Sequence, residues 1–171
     1  MSLLVIWLTL AGTFAASYYD LRARRIPNVI TGSLALTAVI VHAFFGLVPL
    51  LQCLGVMAAL TVGGYLVYSR GGIGAGDIKL AIAGSGMLAY PLFIPFLIYT
   101  GISGGFIALI FLLARASGRA TLSRSVFMTL AGAPGITTDK REKLPYAVAF
   151  AFGAVLVALS QSYAPFLRIS I

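Results

Sequence analysis

Long uncharged apolar runs recur from one end of this chain to the other. Inside a bilayer the backbone cannot hydrogen-bond to water, so a crossing segment must satisfy its own polar groups, as a helix does. Of the 171 residues, 60% are hydrophobic and 9% are charged, whereas soluble domains carry about 25% charged residues. The runs therefore predict an all-α, polytopic integral membrane protein. We expect a single membrane-embedded domain over residues 1–171, with no separate soluble domain.

Breaks between the apolar runs predict six transmembrane helices. The first run ends in Tyr-Tyr-Asp without a clear small-residue cleavage site, which favours a retained span over a signal peptide. The fourth is rich in Ala, Gly and Ser, which predicts a helix packed inside the bundle, and Gly101-x-x-x-Gly105 predicts a packing face in the fifth. The predicted spans cover residues 3–19, 29–45, 50–68, 77–90, 91–114 and 145–166.

The basic residues predict the orientation of the chain in the membrane. Eleven of the twelve Lys and Arg residues lie in alternate loops, and Arg168 is the exception. The positive-inside rule then places the first, third and fifth loops in the cytoplasm and both termini on the non-cytoplasmic side. Because the net charge of +8 flanks apolar spans, it indicates the lipid bilayer as its partner and not nucleic acid.

Two of the four acidic residues lie at the cytoplasmic boundary in this arrangement. Asp20 ends the first span and Asp77 begins the fourth, so the two carboxylates could meet. Two carboxylates within a few ångströms share a proton, and such a pair can activate water for attack on a peptide carbonyl. Asp77, at a helix N-terminus, is the partner expected to stay ionised.

Each carboxylate also has a simpler interpretation. Asp20 could pair with a neighbouring arginine, and Asp77 could be an N-cap. The glycines before Asp77 permit the positive φ values of a tight bend and the close approach of an extended peptide. This predicted substrate-approach loop contains Gly72, Gly74 and Gly76.

The sequence has few other residues that could form a hydrolytic or metal-binding site. Cys53 and His42 are the single cysteine and histidine; Cys53 is predicted to be a packing residue, and His42 an interfacial or packed one. Asp139 and Glu142 belong to a basic loop, where they fit a capping box. We therefore predict neither a metal site nor a cofactor.

Three segments resemble the type IV prepilin peptidases, which are membrane aspartic peptidases named for a GxGD motif. That motif is similar to Gly-Ala-Gly-Asp-Ile-Lys-Leu over residues 74–80. The first-aspartate segment of the family is similar to residues 20–28, which end in Ile-Pro-Asn, and the start of its last helix to residues 143–147. The resemblance extends over essentially the whole chain. It implies catalytic roles for Asp20 and Asp77, whereas three further motif positions have no assigned role: Pro27, Asn28 and Lys79.

The resemblance also implies a substrate and a location. Family members remove short basic leaders from pilin-like precursors at the cytoplasmic face of the bacterial inner membrane. The long form of the family has an N-terminal region with paired CxxC zinc motifs and also methylates its product. Here the first aspartate is residue 20 and there is one cysteine, so the chain resembles the short form found in tight-adherence (Flp-type) pilus systems. N-methyltransferase activity is therefore not predicted.

Two other classes of function stay open at this stage. Intramembrane acids also relay protons, so a proton-coupled transporter is the main alternative to a peptidase. A non-catalytic assembly scaffold is the second alternative. The precursor that is cut and the oligomeric state do not follow from the sequence.

Overall fold

A computed structural model describes residues 2–23, 25–70, 73–116 and 146–163. Its regular structure in these ranges is helical. Four of the helices contain stretches long and apolar enough to cross a membrane, and the last contains a shorter apolar stretch. This confirms the prediction of a polytopic helical membrane protein. The helices are α1 (Ser2–Ala23), α2 (Asn28–Phe45), α3 (Leu47–Ser69), α4 (Ala75–Ala116) and α5 (Tyr146–Tyr163).

Helix α4 is interrupted near its middle. The backbone leaves helical values at Ala89, where φ is 49° and ψ is −167°, and at Tyr90, where ψ is 139°. A proline follows directly and cannot donate the hydrogen bond that a continuing helix needs. The break divides the helix into two arms, α4a (residues 75–88) and α4b (residues 91–116).

The two arms of α4 fold back on each other. A Cβ atom built on Gly84 in α4a would lie 3.1 Å from the ring of Phe96 in α4b. In a continuous helix these residues would be about 18 Å apart along the axis. The reversal falls at the boundary predicted between the fourth and fifth spans.

The core of the bundle is built around α4a. Residues 83–89 are all buried, which confirms the prediction that this segment is packed inside. Helices α1, α2, α3 and α5 all contact α4. Small residues bring α3 close, because a Cβ on Gly86 would meet the side chain of Met57. The position of α4a therefore determines how its first turn is presented to the other helices.

The outer surface of the bundle is apolar. Large side chains such as Trp7, Phe44 and Phe106 are well over half exposed, as expected for a surface that faces lipid. Gly101 and Gly105 are exposed as well, and no described atom lies within 4 Å of a Cβ built on either. Within the described ranges no helix packs against these two glycines, so the predicted packing face in the fifth span stays a prediction.

Candidate functional site

The GxGD segment forms the first turn of α4. The helix begins at Ala75, and the backbone N–H of Ile78 donates to the carbonyl oxygen of Gly74 at 3.2 Å. Gly74 therefore stands at the N-cap position and Asp77 is the third residue of the helix. The interpretation of Asp77 as the N-cap is wrong, because the helix starts two residues earlier than expected. A negative charge in the first turn is still favoured by the helix dipole.

The carboxylate of Asp77 folds back over the N-cap residue. A Cβ on Gly74 would lie 2.9 Å from Asp77 Oδ2, which is closer than real Cβ contacts allow. Neither Gly74 nor Gly76 has a positive φ; among the described glycines that conformation belongs to Gly46. Glycine at position 74 therefore leaves space for the carboxylate in this orientation and does not serve a left-handed turn. Gly72 lies outside the described residues.

The first loop packs against the turn that carries Asp77. A Cβ on Gly76 would lie 3.4 Å from Cβ of Ile26, so the helix backbone lies close to that side chain. On the other side, Lys79 Nζ donates to Asn28 Oδ1 at 2.9 Å. The two motif segments, far apart in the chain, are thus in contact on both sides of Asp77.

Pro27 and Asn28 begin α2. Pro27 is the N-cap residue, with φ −62° and ψ 135°, and its carbonyl oxygen accepts the N–H of Ile30 at 3.0 Å. Proline's fixed φ suits a helix start. Asn28, the first helical residue, is consequently directed to Lys79 by the start of α2.

Asp20 lies in the last turn of α1 and is half-buried. Its Oδ2 accepts a hydrogen bond from the backbone N–H of Ala147 at 3.4 Å. Ala147 is the second residue of α5, where N–H groups have no partner within the helix. The N-terminus of α5 favours a negative charge on Asp20, but the C-terminal end of α1 disfavours it, whereas Asp77 lies in the first turn of its own helix. Asp77 therefore stays the partner expected to be ionised.

Two contacts establish how α1 runs relative to α4a. A Cβ on Gly84 would lie 4.0 Å from Thr9 Cγ2, and at the other end Gly76 packs against Ile26, three residues beyond α1. The late part of α4a thus meets the early part of α1, and the start of α4a meets the end of α1. The two helices are antiparallel.

This register places the two aspartates at the same end of the α1–α4a contact. Asp20 is eleven residues after Thr9, and Asp77 is seven residues before Gly84. At about 100° per residue, each aspartate lies within about 20° of the face that makes the contact. The axial displacements from the Thr9–Gly84 level are about 16 Å and about 10 Å. The remaining offset is reduced because Cβ atoms lean toward the helix N-terminus, which brings the two side chains toward each other.

Sequence reasoning missed Ser17. Its buried hydroxyl oxygen lies 2.7 Å from the carbonyl oxygen of Thr13 and 2.8 Å from that of Ala147, and these two acceptors share its single hydrogen. It continues a buried line of hydroxyl side chains on α1 that starts with Thr9 and Thr13. The available signal was its position one turn before Asp20, which places both on one side of α1.

The packing predictions for His42 and Cys53 are confirmed. Both are fully buried, and Nδ1 of His42 is 2.8 Å from the carbonyl oxygen of Ala38. Within the four described ranges, no three or more His, Cys, Asp or Glu side chains come together to hold a metal ion. Asp139 and Glu142 lie outside those ranges.

Two carboxylates at one end of an interhelical contact are able to share a proton and to act as acid and base. Residues 4–109 match the type IV leader peptidase family. The match includes both aspartates and covers more than half of the chain, and the chain belongs to this family. Membership implies peptidase activity and the processing of pilin precursors. Neither a curated protein nor a solved structure matches the chain.

Proposed function

We propose that this protein is an aspartic endopeptidase that removes the short basic leader from pilin-like precursors, with Asp20 and Asp77 as its catalytic residues. The observation that carries the proposal is the shared placement of these two carboxylates. Asp20 and Asp77 lie at the same end of the α1–α4a contact, beside Ala147 and Gly74 respectively.

The two carboxylates supply the acid and base that peptide hydrolysis needs. One takes a proton from a water molecule as the water oxygen attacks the scissile carbonyl carbon. The other, protonated, gives its proton to the leaving nitrogen as the C–N bond breaks. The pair thus ends with one proton, as it began. The N-termini of α4 and α5 stabilise the negative charge that the pair carries.

The first turn of α4 is the proposed approach for the substrate backbone. Gly74 is exposed and has no side chain to stand between the Asp77 carboxylate and an extended peptide. The apolar helix of the precursor would lie against the bundle, with the scissile bond at this turn. The approach loop would also include Gly72 and Gly76.

We further propose that the chain crosses the membrane six times and that its active site faces the cytoplasm. The folding back of α4a on α4b supports two separate spans within α4. Eleven of the twelve basic residues lie in, or at the helix ends that flank, the alternate loops that would face the cytoplasm, which is the side from which a leader would be cut. We place the protein in the bacterial inner membrane, with both termini on the outer side and without N-methyltransferase activity.

Cleavage of a purified pilin precursor by the detergent-solubilised protein tests the proposal. Wild type should release the leader, and a folded Asp77→Asn variant should not. Equal cleavage by both would assign the activity to another site or to a contaminant. If neither cleaves a precursor that the same cells process, the peptidase proposal fails, and proton flux in proteoliposomes would then test the transporter.

A further inference from the structure

Ser17 joins α1 to the start of α5 beside Asp20. Its single hydroxyl hydrogen is shared between the carbonyl oxygens of Ala147 at 2.8 Å and Thr13 at 2.7 Å, and Asp20 accepts the N–H of Ala147 at 3.4 Å. The carbonyl oxygen and the N–H of Ala147 are therefore both bonded to α1, by two residues that lie one turn apart on that helix. Ser17 is 6% exposed, so water does not compete effectively for this bond.

The two bonds to Ala147 differ in length, and this difference indicates what Ser17 does in the site. An N–H···O bond usually measures about 2.7–3.2 Å, so the 3.4 Å contact with Asp20 is long. A further displacement of a few tenths of an ångström would weaken it greatly. The short bond from Ser17 restricts such a displacement, because it ties the same residue of α5 to α1.

We propose that Ser17 is a positioning residue of the active site, an inference that rests on the proposed function. It holds the first turn of α5 so that the Ala147 N–H, and the positive end of the helix dipole behind it, stay directed at Asp20. Ser17 does not touch the reacting atoms. It acts through Asp20, by maintaining the environment in which that carboxylate carries charge during the reaction.

Removing the hydroxyl should change this placement more than it changes folding. Ala147 lies inside α5, so its carbonyl oxygen keeps a partner within the helix when Ser17 is replaced. The substitution therefore leaves no buried acceptor without a partner. Its effect should appear in the catalytic step and not in substrate affinity, because Ser17 is buried and not accessible to a bound precursor.

Thr13 provides a matched control on the same helix. It is also fully buried, and its hydroxyl bonds to the carbonyl oxygens of Thr9 at 2.8 Å and Leu10 at 3.1 Å. These bonds lie within α1, so Thr13→Val removes a buried hydroxyl without detaching α5. We expect Ser17→Ala to lower kcat roughly tenfold with KM within about twofold, and Thr13→Val to change both less than about twofold.

If the alanine variant does not fold, the two variants Ser17→Thr and Ser17→Val test the same proposal. The two replacements have nearly the same shape, and threonine keeps the donor, so Ser17→Thr should exceed Ser17→Val about tenfold in kcat. Equal kcat for this pair, or equal losses in Ser17→Ala and Thr13→Val, would overturn the positioning role. Cleavage by Asp77→Asn would instead refute the proposed function itself, so the two failures are distinguishable.

Discussion

Helices α1 and α3 are apolar spans of nearly equal length, 22 and 23 residues, but they bury different chemistry. Helix α1 is the less hydrophobic of the two, and it buries hydroxyl side chains at Thr9, Thr13 and Ser17. Helix α3 buries Cys53 and Val56 and exposes large side chains such as Tyr65.

The comparison shows that polar side chains are buried on the helix that leads to the proposed site. A buried hydroxyl in a membrane helix costs free energy unless it is hydrogen-bonded, and each of the three on α1 is bonded. Their line ends at Asp20, whereas α3 presents an apolar surface to lipid. We therefore expect the effect of a substitution to depend on the helix that carries it more than on the residue type.

The largest effect should come from the two aspartates. Asp20→Ala and Asp77→Ala should each lower the rate of precursor cleavage by at least about a hundredfold, because residues that act as a unit fail together. For the same reason the double variant should be no worse than either single one. Rates measured with purified, folded protein would test this, and a few per cent of residual activity in either single variant would contradict the two-aspartate mechanism.

The motif glycines should differ from each other. A Cβ at Gly74 would collide with the Asp77 carboxylate, whereas one at Gly76 would make an ordinary contact with Ile26. A Cβ at position 74 would move the Asp77 carboxylate out of its position, so Gly74→Ala should lower kcat about tenfold or more. Gly76→Ala should lower kcat by no more than about threefold. If Gly76→Ala proved the more damaging in a cleavage assay, the contact of Gly74 with the carboxylate would not be what requires glycine there.

The Lys79–Asn28 bond should give a smaller effect, because both side chains are exposed. Asn28→Ala and Lys79→Ala should each lower kcat/KM about two- to fivefold by loosening the turn that carries Asp77. A double-mutant cycle measures whether they act through each other. Losses that simply multiply in the double variant would show that the two residues act independently.

The smallest effect is expected on α3. A Cβ on Gly63 meets no described atom within 4 Å, and alanine is favoured over glycine inside a helix by about 0.5–1 kcal/mol. Gly63→Ala should therefore leave cleavage within about twofold of wild type and raise the temperature of thermal unfolding slightly. A large loss of activity would mean that α3 takes part in the site, which would remove the contrast with α1.

The helices could be predicted from the sequence because hydrophobicity and charge act locally. The reversal in α4 was predicted at Tyr90–Pro91, since proline interrupts the apolar run, and the burial of α4a followed from its small residues. Asp20 and Asp77 could be proposed as site residues because their neighbours in the chain form recognisable motifs.

The contacts between helices could not be predicted in the same way. The bonds from Ser17 and Asp20 to Ala147 join residues about 130 positions apart, and no local pattern specifies that register. The need for Gly74 was assigned to backbone conformation because glycine's freedom is visible in a sequence, whereas the direction of a nearby carboxylate is not. Likewise, the sequence places the start of α4 at Asp77, because the three glycines before it indicate a loop.

The break in α4 has a consequence for the thickness of the bilayer around the protein. Residues 75–88 form an arm about 21 Å long, whereas the hydrocarbon layer measures about 30 Å. In the six-span arrangement this arm cannot bring both of its ends to the headgroups of an undeformed membrane. At least one end of the arm would therefore lie below the headgroups. If that end is the first turn, the Asp77 carboxylate would lie below the membrane surface, and water would have to reach it there for peptide hydrolysis.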